Sequence, residues 1–144
     1  MASLSLRLLI LFLVTWQVTA IKFQLPAFRN PQPKCIANPV HDGDLVIVSV
    51  IVDTEDQTLP PDSQRVDIEV MDSSPKRNVY LSKKDIHGEK RLAVTSHAEG
   101  EVLVCFKNTL SWNVGEKQGA NMRRTIDLDV DIGADAVDYK CVLN

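Results

Sequence analysis

The chain has 144 residues, with 16 Lys and Arg against 19 Asp and Glu, a formal net charge of −3 and 44% hydrophobic residues. This length suits one domain with a real core. The mild acidity excludes nucleic acid and anionic lipid as partners, because both need clustered Lys or Arg, and the adjoining basic residues, Lys83-Lys84 and Arg123-Arg124, are pairs that suit a solvated strand edge.

The first twenty residues have the three parts of a secretory signal. Arg7 carries the only charge, "LLILFLV" (Leu8–Val14) is an uncharged apolar run, and small residues stand at Val18 and Ala20. Cleavage is expected between Ala20 and Ile21. A membrane span is the alternative, but seven strongly apolar residues fall well short of the ~20 that cross a bilayer. The segment from Ile21 onward, 124 residues with a net charge of −4, is therefore expected to be luminal or extracellular, and no second long apolar stretch follows residue 20.

Along the rest of the chain the hydrophobic period is two, and no helix-length stretch has apolar residues at three and four spacing. The proline cluster "PAFRNPQPK" (26–34) is expected to run extended or irregular along a sheet edge before Cys35. "LVIVSVIVD" (Leu45–Asp53) is a β-branched run that fits a buried central strand. In "RVDIEVMD", Val66, Ile68 and Val70 alternate with Asp67, Glu69 and Met71; "RLAVTS" and "EVLVCFKN" behave similarly. In "RTIDLDVDI", Ile126, Leu128, Val130 and Ile132 alternate with Asp127, Asp129 and Asp131. One apolar and one wet face per strand is what two packed sheets require. Turn signals separate the runs at 41–44, 59–64, 72–78, 85–90, 96–100 and, longer, 111–121. The expected fold is all-β: one antiparallel β-sandwich of roughly seven to eight strands, without repeat or second domain.

Three cysteines in an oxidising compartment suggest one disulfide and one leftover. Cys105 sits inside an apolar strand, whereas Cys141 lies three residues from the end among polar neighbours. Cys35 is therefore paired with Cys105, closing a loop of about 70 residues that the chain-entropy argument values at about 4 kcal/mol. No Asn-x-Ser/Thr sequon occurs. The last four residues, Cys141-Val142-Leu143-Asn144, have the form of a prenylation box, but a luminal cysteine is out of reach of prenyltransferases and Asn144 is not a usual final residue.

Few constellations suit chemistry. Asp127, Asp129 and Asp131 have the 1, 3, 5 spacing of a calcium loop, with Asp135 close behind. However, Gly133 comes one place late and position twelve falls on Asp138 rather than Glu. Alternating Ile, Leu and Val moreover impose a strand, in which carboxylates two residues apart stand about 7 Å from each other and diverge. His41, His87 and His97 sit in separate turns with no metal-ligand spacing. There is no nucleophile elbow, phosphate loop or paired His-Glu zinc motif, so no catalytic residue, metal or cofactor is assigned and an enzyme is not expected. Trp112, in the Gly- and Asn-rich loop 111–121, is a candidate partner contact; a tryptophan folded back on the sandwich edge is the alternative.

Several stretches together resemble one family. "IKFQLP" after the signal, Cys35 in "KCI", "KKDIHGEKRLAVTSHAEGEVLVCFKN" and "RRTIDLDVDIGADAVDY" are similar to the luminal GOLD domain of the transmembrane TMED (emp24/p24) cargo receptors, nearest their delta branch. The resemblance spans residues 21–139 and implies a β-sandwich whose matching cysteines, Cys35 and Cys105, are bonded. It also implies traffic between endoplasmic reticulum and Golgi, with other GOLD-domain proteins and secretory cargo, GPI-anchored proteins among it, as partners. Relatives continue into a coiled coil, one membrane span and a coat-binding cytosolic tail, being single-pass type I membrane proteins. This sequence has instead "KCVLN" (140–144), read as an alternative or misread ending, so coat proteins are expected only for a form with the tail. The expected function is a luminal cargo- or partner-binding domain of the early secretory pathway. The alternative is a secreted calcium-dependent β-sandwich that uses the Asp127–Asp138 region.

Overall fold

A computed structural model of the chain describes residues 20–54 and 62–133. Eight strands form in chain order: β1 Ile21–Pro26, β2 Lys34–Val40, β3 Leu45–Thr54, β4 Gln64–Asp72, β5 Val79–Lys83, β6 Gly88–Thr95, β7 Gly100–Leu110 and β8 Arg123–Ile132. A one-turn helix, α1 (Glu116–Gly119), precedes β8. The strands make two four-stranded sheets, ordered β1-β8-β3-β6 and β2-β7-β4-β5, and every named pairing is antiparallel. The all-β sandwich expected from the period-two pattern is the fold.

Alternation decides which side chains meet between the layers. The first sheet contributes Val46, Val48, Val50 and Val52 of β3, Leu92 and Val94 of β6, and Ile126 and Leu128 of β8. The second contributes Val66, Ile68 and Val70 of β4 and Val102, Val104 and Phe106 of β7. Each such side chain gains about 1.5–3 kcal/mol by leaving water. The β-branched run of β3 is central, as expected, between β8 and β6. Its even-numbered valines face the other sheet, however; on the opposite face Ile47 is still buried but Ile51 is 47% exposed.

The outer face of the second sheet is drier than its sequence suggests, because Asp67 and Met71 of β4 are buried. Asp67 has its charge met by Arg65 at 3.2 Å and Lys84 at 3.5 Å, and it accepts a hydrogen bond from the Asp85 amide at 3.0 Å. Cys35 and Cys105 lie on this face as directly opposed residues of β2 and β7, bonded with Cα atoms 4.0 Å apart. The disulfide therefore staples neighbouring strands of one sheet and does not cross the core.

The loop 111–121 differs from its reading as plain loop. Val114 and Met122 turn inward to pack with Ala27 and Leu110, and the chain between them closes one helical turn through the Gly119 amide to the Gly115 carbonyl at 2.8 Å. The 59–64 turn lies partly, and residues 1–19 and 134–144 wholly, outside the described residues. The signal segment, Asp135, Asp138 and Cys141 fall there.

Candidate functional site

One end of the sandwich gathers what the core leaves over. The proline-rich connection from β1 to β2 crosses between the sheets, and alternation of its residues places Ala27 inward and Phe28 outward. Ala27 donates to the Met122 carbonyl at 2.9 Å, and Phe28 pairs with the end of β7 through its own amide to Asn108 and its carbonyl from the Leu110 amide. This pinning leaves the Phe28 ring 56% exposed. Beyond β7, the buried Val114 anchors the loop and Ser111 donates its amide to the Ser63 carbonyl, so Trp112 stands out at the apex, 79% exposed. Arg29 joins the two: its guanidinium lies 5.0 Å from the Trp112 ring centroid and donates to the Val114 carbonyl at 3.3 Å.

Three depressions flank this ridge. A polar one of about 370 Å³ lies between Asp62, Arg65, Asp85 and Trp112. A second, of about 280 Å³, runs from Phe28 and Arg29 to Gly119. An apolar cavity of about 390 Å³ lies among Leu25, Pro26, Phe28 and Pro31, with Asn108 in its lining. Asn108 occupies an inward position of β7 where the alternation calls for a hydrophobe, and it is wholly buried. Its Nδ2 donates to the Leu25 carbonyl at 2.9 Å and to Gln64 Oε1 at 2.8 Å, tying one sheet to the other. Gln64 Nε2 in turn reaches the Arg123 carbonyl at 3.4 Å. Single exposed hydrophobes are ordinary, but an exposed Phe and an exposed Trp linked by an Arg, beside concave surface, have the composition of an interface hot spot.

Trp112 is thus in the solvent-facing of its two expected positions. Phe28, Arg29 and Asn108 were missed by sequence reasoning. Phe28 and Arg29 lay within a proline cluster read as sheet edge, where a large aromatic with no strand to alternate in was the available signal. Asn108 was betrayed by the break in the apolar series 102, 104, 106, 110.

No ion site assembles. Asp127, Asp129 and Asp131 take alternate positions of β8, on the side opposite Ile126 and Leu128, and among the described residues no three His, Cys, Asp or Glu side chains converge on a common point. His41 pairs with Asp44 at 3.4 Å, His87 Nδ1 lies 3.2 Å from the Asp85 carbonyl, and His97 sets its ring edge-on to Tyr80 at 5.7 Å. At the far end of β4, Asp72 accepts from the Ser74 hydroxyl at 2.6 Å, the Asn78 side-chain amide at 2.7 Å and both backbone amides. These bonds, led by that from Ser74, hold its carboxyl below the ordinary 3.8. No helix among the described residues is long and apolar enough to cross a membrane.

Residues 20–143 match the family model described as emp24/gp25L/p24 family/GOLD. Similar proteins include those named endoplasmic reticulum vesicle protein 25 from Mycosarcoma maydis, 50% identical over 137 residues, and from Cryptococcus neoformans var. neoformans serotype D (strain JEC21), 47% identical over 137 residues. These matches cover 95% of this chain and 59% and 60% of those proteins. The protein of the same name from Neurospora crassa is 37% identical over 145 residues, or 99% of this chain and 63% of its own length. The chain therefore spans about 60% of the length of these curated relatives.

Proposed function

The chain belongs to the emp24/gp25L/p24 family, and from that premise we propose that its sandwich is a luminal recognition domain that binds partners in vesicle traffic between endoplasmic reticulum and Golgi. The family is one of cargo receptors, not of enzymes. Partners on this reading are other GOLD-domain proteins of the family and secretory cargo, GPI-anchored proteins included. Residues 1–20 act as the signal, removed between Ala20 and Ile21, and residues 21–139 form the binding domain with Cys141 in the tail 140–144.

The observation that supports a binding role for this chain is the Phe28–Arg29–Trp112 ridge. A Trp 79% exposed and a Phe 56% exposed, linked through Arg29, which follows Phe28 in the chain and lies over the Trp112 ring, forgo burial that the fold had available for Ala27 and Val114 in the same two segments. A partner surface recovers it, and truncation of such a hot-spot aromatic typically costs at least 2 kcal/mol of binding, more than a tenfold loss of affinity. The test is chemical crosslinking in vesicles budded from endoplasmic reticulum, comparing the wild type with a Phe28→Ser, Trp112→Ser double variant. The variant is expected to keep the wild-type melting temperature and to lose its crosslinked partners. Undiminished crosslinking would remove this end of the sandwich from the reading.

A further inference from the structure

We propose that β6 takes an extended, acidic segment of a partner protein as an added strand of its sheet, the carboxylates of that segment meeting Lys90 and Lys83. The surface is separate from the Phe28–Trp112 ridge, since no residue of β6 lines the depressions there.

The two sheets leave four edges, β1 and β6 in one and β2 and β5 in the other. Three of them carry features that discourage pairing with another chain. β1 ends on Pro26 and β2 contains Pro39, each lacking the N–H that a ladder needs. β5 has only five residues and faces a register shift between Val70 and Met71. β6 has eight residues, no proline, and pairs without a shift from Gly88 against Val52 to Thr95 against Leu45. Among the described residues no strand pairs with its other side. Every second residue of such an edge turns its N–H and C=O away from the sheet, and that row of groups is what strand addition uses for affinity.

Charge selects the occupant. Lys90 lies opposite Val50, and Lys83 of β5 lies opposite Ile68. Val50 and Ile68 are wholly buried, so both lysines take core-facing positions of their edge strands. Tyr80 of β5 packs edge-on against His97, just past β6, which places the two edges on one side of the sandwich. Neither ammonium has an ion pair or hydrogen bond among the described residues, whereas neighbouring Lys84 is spent on Asp67 and Glu69. A core-facing lysine on an edge repels an apolar strand. It also repels the same edge of a second copy, which presents its own Lys90 and Arg91. An acidic residue opposite Lys90 removes that obstacle. The next core-facing positions of β6, Leu92 and Val94, are buried and call for apolar neighbours. An antiparallel segment that fits therefore carries two apolar residues at alternate positions, followed at the same spacing by acidic ones.

Fluorescence anisotropy of a capped, dye-labelled octapeptide, TVTVTETE, titrated with the full chain tests the proposal, with TVTVTKTK as its counterpart. The chain is expected to bind the acidic peptide and not the basic one. Lys90→Glu should bind the acidic peptide about tenfold more weakly and gain the basic one, a gain that also shows the variant to be folded. Two further acidic peptides are N-methylated at alternate residues, one set on the edge that would face β6 and the other on the edge that would face solvent. The first is expected to lose binding and the second to keep it, because only a ladder distinguishes the two edges. The Phe28→Ser, Trp112→Ser variant should bind the acidic peptide undiminished. Absence of binding at the highest soluble concentration, equal affinity of Lys90→Glu and the wild type, or equal affinity of the two methylated peptides would overturn the proposal. Loss of binding in the Phe28→Ser, Trp112→Ser variant would overturn it too, by putting the peptide on the ridge.

Discussion

At the scale of single residues, two buried polar side chains of the second sheet behave oppositely. Asp72 is fully satisfied, accepting four hydrogen bonds from Ser74 and Asn78. Asn108 is half-satisfied, its amide hydrogens used and its oxygen not. The first arrangement is a turn device, in which the carboxylate at the end of β4 organises the chain that returns as β5. Its consequence for pH follows from the lowered folded pKa. Such a group contributes its full stabilisation above the unfolded value of 3.8, and the contribution is lost as the pH falls through the folded value. Asp72→Ala should therefore melt below the wild type at neutral pH, with the gap narrowing as the pH drops under 3.8. Melting curves across the acid range check this; a gap that stays constant to the lowest pH would show that the carboxylate charge is not what holds the turn.

At the scale of elements, the disulfide joins β2 to β7, and among the described residues β2 has no other strand neighbour. The bond spans a sequence separation of 70 residues, worth about 4 kcal/mol on the chain-entropy argument. In a domain of this size that corresponds to a fall in melting temperature of roughly 10–20 °C. Cys35→Ala is expected to show it, and hydrogen exchange in the variant should rise first along Lys34–Val40, because those amides lie on an edge. Unchanged stability, or a peptide map joining Cys35 to Cys141, would refute the assignment. The proline-rich connection works at the same scale. It cannot continue a ladder, so its one pairing with β7, at Phe28, leaves the residues on either side of that point to be placed by packing.

At the scale of the whole molecule, the place of β8 in its sheet reinforces the strand that its own alternation imposes on the acidic stripe. Asp127, Asp129 and Asp131 read as a calcium loop by spacing alone, but β8 lies between β1 and β3 and its ladder holds the three carboxylates apart along the strand. Titration with millimolar calcium is expected to give no heat. A saturable signal lost in Asp129→Asn would restore the calcium-dependent alternative and undercut the receptor reading.

What the sequence determined by itself follows from properties each segment carries alone. Period-two alternation in Val66–Val70 and Ile126–Ile132 is local, and it specified strands, their inward faces and hence a sandwich. The Cys35–Cys105 bond was legible because only one of the remaining cysteines lay in an apolar strand. The family resemblance was legible because its motifs are contiguous. Whether the β-branched run of β3 was buried on both faces or one depended on what covers the sheet, which no window of sequence contains. The one-turn helix at Glu116–Gly119 arose from Val114 and Met122 finding Ala27 and Leu110 across the molecule. The candidate binding end was the least legible part, since Phe28 and Trp112 are 84 residues apart and come to the same end only because β1 and β7, in different sheets, finish there. Long-range pairing sets that proximity, and it leaves no periodic trace in either segment.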